Sequence, residues 1–199
     1  MADSENKNGE LTQELGRELL ALARHVITER VGGKGLLTPE QITSLSSEQA
    51  LQQKRGTFVT LKKNGQLRGC IGSLADFEAI FDGVRRNAEN AAFHDHRFSP
   101  VQLDEMAEII VEISILTNPQ VLAYEDAADL IAKLRPGIDG VIIRKGQLGA
   151  TFLPQVWEQV PRPEDFLGHL CLKAMLSSDA WRLGELEVSV YQVQYFEEE

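Results

Sequence analysis

One succession of patterns occurs twice along this chain, and it limits the available folds more than any other feature. Residues 58–63 and 66–74 flank Asn64-Gly65. An Asn-Gly pair between two strand-like runs marks a two-residue hairpin turn, because both central positions take positive φ. An apolar helical stripe follows (Phe77, Ile80, Phe81, Val84, Ala88, Ala91), with Asp76 placed to cap it. A strand over residues 109–116 then puts Ile109, Val111, Ile113 and Ile115 on one face. The second half repeats the order. Residues 141–144 and 147–153 flank the turn Lys145-Gly146, Pro163 opens a helix with Phe166, Leu167, Leu170, Cys171 and Ala174 on one face, and a strand runs from 185 to about 196.

Two local alignments support a duplication. Residues 63–67 match 144–148 at an offset of 81 if one turn residue is allowed to differ, and residues 111–116 match 186–191 without a gap at an offset of 75. The competing explanation is that strands of similar composition look alike. Two copies, at about 56–117 and 139–197, predict an α+β fold. It would be a mainly antiparallel, barrel-like sheet built from two related β-α-β repeats, with helices packed on it. Curling the sheet would remove edges that the strands do little to protect.

Ahead of the repeats, Leu11, Leu15, Leu19, Leu22 and Val26 share a helix face that ends at Gly32-Gly33. Thr38-Pro39-Glu40-Gln41 has the form of an N-cap, an N1 proline and a capping-box glutamine, with short helices expected to about residue 54. Ser99-Pro100 is expected to start another helix, and a helix over about 124–134 ends before Pro136-Gly137. Residues 1–9 are polar and expected to fray.

Composition excludes several classes of function. A net charge of −10, with Lys62-Lys63 as the longest basic cluster, disfavours nucleic acid as a partner. Two cysteines are too few for a disulfide scaffold, and no apolar run suggests a signal peptide or a membrane span, so a cytoplasmic protein with free thiols is expected. There is no phosphate-binding Gly-Lys-Ser loop and no dinucleotide fingerprint. Gly69-Cys70-Ile71-Gly72 matches the glycine loop of KH domains in spelling only, since that loop joins helices and this one lies in a hairpin.

Three places can carry chemistry. The first is Arg68-Gly69-Cys70. Strand alternation puts Arg68, Cys70 and Gly72 on one face and Leu67, Gly69 and Ile71 on the other, taken as the core face. A guanidinium beside a thiol favours the nucleophilic thiolate, and Gly69 and Gly72 leave room for a ligand or another backbone. The second copy has Gly149-Ala150-Thr151 there, so charge and sulfur occur once. The plainer alternative is that Cys70 is a small packed hydrophobe. The second place is His94-Asp95-His96-Arg97, which can shuttle protons or simply pair Asp95 with Arg97 to pin a loop; His-x-His without a third ligand is a weak metal signal. The third is Glu112, which faces solvent or meets a cation such as Arg68; Glu187 matches it in the second copy without a matching arginine. His25 and His169 read as ordinary packing or surface residues, and Cys171 as core.

The string Phe58-Val59-Thr60-Leu61 followed by Leu67-Arg68-Gly69-Cys70-Ile71-Gly72-Ser73 resembles the hallmark of the AMMECR family, whose bacterial members are called AmmeMemoRadiSam system protein A. The resemblance continues through Asp95-His96-Arg97-Phe98, Glu112-Ile113-Ser114, Asp139-Gly140 and residues 151–156, and covers nearly the whole chain as a single domain. It implies two β-α-β repeats sharing one barrel-like sheet, and a pathway shared with Memo-like and radical S-adenosylmethionine proteins. No biochemical activity, cofactor or metal comes with it. The site expected is Cys70, Arg68, Asp95 and Arg97 as catalytic groups, with Gly69, Ile71, Gly72, Ser73, His94, Glu112 and Thr151 around the ligand. Two functions remain open: an enzyme or enzyme subunit using Cys70 on a small or anionic substrate, and a non-catalytic module binding a partner protein or ligand.

Overall fold

The two periodicities in the sequence become helices and strands in the computed structural model, which describes residues 10–74 and 77–199. Helix α1 (Gln13–Arg30) starts where the Thr12 hydroxyl accepts the Leu15 N–H at 3.2 Å, and the chain leaves it through Gly32 at φ +82°. Helix α2 (Pro39–Ser46) carries the expected capping box between Thr38 and Gln41. Strands β1 (Thr57–Lys63) and β2 (Gln66–Ser73) form the expected hairpin through Asn64 and Gly65, both at positive φ. Helix α3 (Ile80–Phe93) and strand β3 (Ile109–Leu116) follow. Then come β4 (Gln120–Val121), α4 (Ala127–Lys133), β5 (Gly140–Lys145), β6 (Leu148–Phe152), α5 (Val156–Gln159), α6 (Pro163–Lys173), β7 (Glu187–Tyr191) and β8 (Val193–Glu197). Among the described residues no helix is long and apolar enough to cross a membrane.

Two compact units result: the chain up to Leu116 with Gln194–Glu199, and Thr117–Val193. The α+β class is as expected, but the described strands form two four-stranded sheets, β2-β1-β3-β8 and β4-β7-β5-β6, and not one closed sheet. The closing strand expected over 185–196 accounts for the difference. It breaks at Gln192, whose N–H donates to the Thr117 hydroxyl at 2.8 Å and whose carbonyl accepts the Thr117 N–H at 2.9 Å. Residues before the break pair with β5 and those after it join the first sheet beside β3.

Other boundaries also differ. Helix α3 begins at Ile80, not Phe77, which is 54% exposed; the expected cap Asp76 and the frayed residues 1–9 lie outside the described residues. Ser99-Pro100 starts no α-helix. A capping box between Gln102 and Glu105 closes a single 3-10 turn, and β3 begins four residues later. In the second hairpin Gly146, at φ +60°, and Gln147 make the turn, one residue beyond the expected pair, because Lys145 stays in register with Leu148.

Register in the first sheet determines what each residue faces. Leu61 lies opposite Gly69 and Val111, and Val59 opposite Ile71 and Ile113. These rows face α1 and α3, where Leu19, Leu22, Val84, Ala88 and Ala91 are buried with Val59, Leu61, Val111 and Ile113. Each fully buried leucine, isoleucine or valine among them contributes roughly 1.5–3 kcal/mol. The alternate row, Cys70–Thr60–Glu112, faces away from that core. Between Leu61 and Lys62 the register slips, so that Lys62 opposes Leu67 and Arg68 is an extra, bulged residue.

In the second unit Val141, Ile143 and Val188 pack against Phe166, Leu167, Leu170 and Cys171, with the Trp157 ring stacked on Phe166 at 3.6 Å. Cys171 is core, as expected, and burial pushes its thiol pKa up. Glu187 lies directly opposite Arg144, while Gly149 stands where the first copy has Arg68.

Candidate active site around Cys70

An edge strand leaves every second peptide without a partner, and β2 is an edge of its sheet. At Cys70 that peptide is bracketed on both sides by the loop after α3. The Cys70 N–H donates to Asp95 Oδ2 at 2.9 Å, and the Cys70 carbonyl accepts from Arg97 Nη2 at 3.1 Å. Asp95 also accepts from Arg97 Nε at 2.9 Å, Arg97 Nη2 at 2.7 Å and the Arg97 backbone at 3.2 Å. The carboxylate is buried, and its Arg97 partner together with the two backbone donors holds its pKa well below the usual aspartate range despite desolvation. Arg97 is correspondingly raised by Asp95. The pairing that the sequence suggested as a loop pin is therefore present, and it pins the loop onto the cysteine's own backbone.

Gly69 makes this approach possible. A Cβ on Gly69 would lie well under 3.0 Å from the Ala91 carbonyl oxygen, so only glycine lets the last turn of α3 come this near to β2. The chain then leaves α3 at His94, whose N–H donates to the Asn90 carbonyl at 2.8 Å, and enters the Asp95–Arg97 clasp at once. Gly72 is close-packed for a different reason. The Phe58 ring and the Thr57 carbonyl of β1 fill the space a Cβ would need. Of the two expected uses of these glycines, room for a ligand or for another backbone, the structure shows the second: both admit neighbouring protein groups. Ile71 packs on the first core, and Ser73 ends β2 opposite Thr57.

The thiol itself is half-buried and free, and Cys70 Sγ accepts a hydrogen bond from the Thr60 hydroxyl at 3.3 Å. Thr60 was not picked out from the sequence. Its signal, a position directly across the hairpin, is hidden by the bulge, since counting back from Asn64-Gly65 without it pairs Cys70 with Val59.

Arg68 is not the cation beside this sulfur. Its Nε and Nη2 bind both oxygens of Glu105, at 3.1 and 2.9 Å, and Glu105 also takes Lys63 at 3.4 Å. The bulge is the cause: it breaks strict alternation, so that Leu67, expected in the core, is 45% exposed while Arg68 is largely covered. The guanidinium that does interact with the Cys70 side chain electrostatically is Arg97. Glu112 likewise meets Lys62 at 2.9 Å, not Arg68, and Lys62 reaches Glu197 at 2.8 Å.

The Arg68 pair lowers the Glu105 pKa from 4.5 to about 2. A carboxyl depressed on folding stabilises the fold above its unfolded value, and that contribution disappears as pH falls through the folded one. Urea midpoints should therefore drop between pH 4.5 and about 2, and Glu105→Gln should lower the midpoint at neutral pH while flattening this acid limb. An unchanged acid limb in the variant would refute the assignment.

The remaining expected residues divide. His94 and His96 are exposed, and among the described residues no group of three or more His, Cys, Asp or Glu side chains is placed to hold a metal. Thr151 belongs to β6 in the second unit, where its hydroxyl meets the Tyr191 hydroxyl at 3.1 Å and its carbonyl accepts from Lys173 at 2.9 Å. Burial pushes the Tyr191 pKa up to about 12. Lys173 thus does for the β6 edge what Arg97 does for β2, closing an exposed carbonyl with a cation.

Comparison with known proteins places the chain in one family. The chain is 37% identical to a protein of Methanothermobacter thermautotrophicus over 97% of this chain and 99% of the other. It is 37% identical to protein MK0488 of Methanopyrus kandleri over 95% and 91% of the two chains. The crystal structure of an uncharacterized protein, PH0010 of Pyrococcus horikoshii, superposes with a TM-score of 0.74 at 34% identity, covering 94% of this chain and 92% of that one. The family model described as AMMECR1 matches residues 20–196.

Proposed function

The chain belongs to the AMMECR1 family, and on that premise we propose that it works through Cys70, as the nucleophile or carrier thiol of an enzyme or enzyme subunit acting on a small molecule. The observation that carries this reading is a half-buried thiol that accepts a hydroxyl hydrogen bond on a strand whose peptide is clasped from both sides. The Thr60 hydroxyl is aimed at the sulfur as a donor, the contact a reacting thiol would use. The clasp fixes the backbone, so the thiol is presented in one direction. Arg68 is held by Glu105 and Arg97 by Asp95, and of the two the more exposed Arg97 is the group this reading assigns to an anionic substrate.

A second reading, a non-catalytic module binding a partner protein or ligand on the same face, is favoured by one observation. Asp95 and Arg97 satisfy each other and His94 and His96 are exposed, so among the described residues no acid–base side chain is bonded to the thiol. Memo-like and radical S-adenosylmethionine proteins are the partners this reading proposes. Two free thiols suit a reducing cytoplasm. The hairpin–helix–strand order in each unit supports reading residues 56–117 and 139–197 as two copies within one domain.

Iodoacetamide separates the readings. Cys70 in the folded chain should alkylate several-fold faster than free cysteine at pH 7, and Thr60→Val should slow it. A rate equal to or below that of free cysteine, unmoved by Thr60→Val, rejects the nucleophile and leaves the binding module.

A further inference from the structure

The second unit holds a cavity of about 760 Å³ between α4 and α6, unrelated to Cys70. Small-ligand sites occupy roughly 300–1,000 Å³. Ala127, Ala128 and Ile131 of α4 form one wall, and Leu172 of α6 continues the apolar surface opposite. Trp181, only 2% exposed, is part of the lining, and the Arg182 guanidinium carbon lies 4.4 Å from the centre of its ring. The Trp181 ring backs that guanidinium, and among the described residues its N–H groups make no hydrogen bond, while its charge acts on Asp179. Three carboxylates, Glu164, Asp165 and Asp179, share the lining. Asp179 is kept ionised by the Ser177 hydroxyl, its own backbone and Arg182, and among the described residues Asp165 has only a solvent-screened pair with Arg162 at 3.4 Å.

We infer that this cavity binds a short zwitterionic peptide of about three residues with an apolar side chain. Charges of both signs decide the class. A lone phosphate would meet Glu164, Asp165 and Asp179, and a simple amine would meet Arg162 and Arg182. A ligand with a carboxylate for Arg182 and an ammonium for Asp179 or Asp165 satisfies both sets, while its side chain covers Ile131 and Leu172, the latter 54% exposed. Length agrees: Asp165 to Leu172 spans seven residues of helix, about 10 Å at 1.5 Å per residue, and three extended residues cover about 10 Å.

Isothermal titration calorimetry of the full chain with alanyl-leucyl-alanine tests the inference, alongside the N-acetylated, C-amidated peptide and inorganic phosphate. Saturable binding of the free peptide is expected, weakened at least tenfold by blocking both termini. Arg182→Gln should weaken it to a similar degree, and so should Ala128→Trp, which fills the cavity from an exposed helix position and whose fold is checked by circular dichroism. Absence of saturation, equal affinity for the blocked peptide, tighter binding of phosphate, or an Arg182→Gln chain that binds as well as the parent would each overturn it.

Discussion

Gly69→Val is expected to be the most damaging single substitution in the first unit, costing about 3 kcal/mol or more in urea denaturation. The reason is geometric. A Cβ at this position falls within 3.0 Å of the Ala91 carbonyl oxygen, a backbone atom in the last turn of α3 that has no rotamer by which to retreat. Either α3 moves away from the sheet or β2 moves away from β1. The first opens the core around Ala88 and Ala91, and the second breaks the pairing of Leu61 with Gly69. Either movement also withdraws Asp95 and Arg97 from Cys70, since that loop begins one residue after α3 ends. Gly168→Ala is the matched control. That glycine is also buried, in helix α6, but its Cβ would stand 3.4 Å from the Ser178 carbonyl oxygen, an ordinary contact. It should be neutral or stabilising by up to about 1 kcal/mol through helix propensity. Similar losses at both positions would mean that close approach is not what the Gly69 position requires.

The contrast shows how far the residues announce their own roles. The Asn64-Gly65 hairpin, the capping box at Thr38 and the Pro163 helix start are local, and local rules suffice for them. The site is not local. Asp95 and Arg97 stand two apart, so their pairing is legible, but their grip on Cys70 depends on α3 crossing β2 at Gly69, a tertiary contact with no periodic signature. The bulge at Arg68 hides more. Strict alternation gives Arg68 and Cys70 a common face, and one extra residue sends the guanidinium to Glu105 while leaving the sulfur with Thr60. Glu105 itself sits in a stretch that reads as a helix start and folds as a single turn. Likewise Glu112 finds Lys62, which only the β1–β3 register brings near it.

Asp95→Ala should cost about 2–4 kcal/mol at neutral pH, because one carboxylate serves four donors and its removal leaves the Cys70 N–H at a sheet edge without an acceptor. Arg97→Ala should cost less. Its side chain is 56% exposed against 4% for Asp95, so water can replace much of what it provides, and the Cys70 carbonyl can be hydrated in its place. Asp95→Asn separates charge from hydrogen bonding, since its amide oxygen can still accept the Cys70 N–H while the attraction to Arg97 is lost; it should fall between the parent and the alanine variant. The pH dependence fixes the sign. The Asp95 pKa is depressed on folding, so its contribution is complete above the unfolded aspartate value of about 4 and declines as pH falls toward the folded one. The stability difference between the parent and Asp95→Asn should therefore be largest at neutral pH and shrink on acidification. A difference that grows toward acid would mean that the carboxyl is protonated in the folded chain, and the clasp on Cys70 would then lack the charge that closes it.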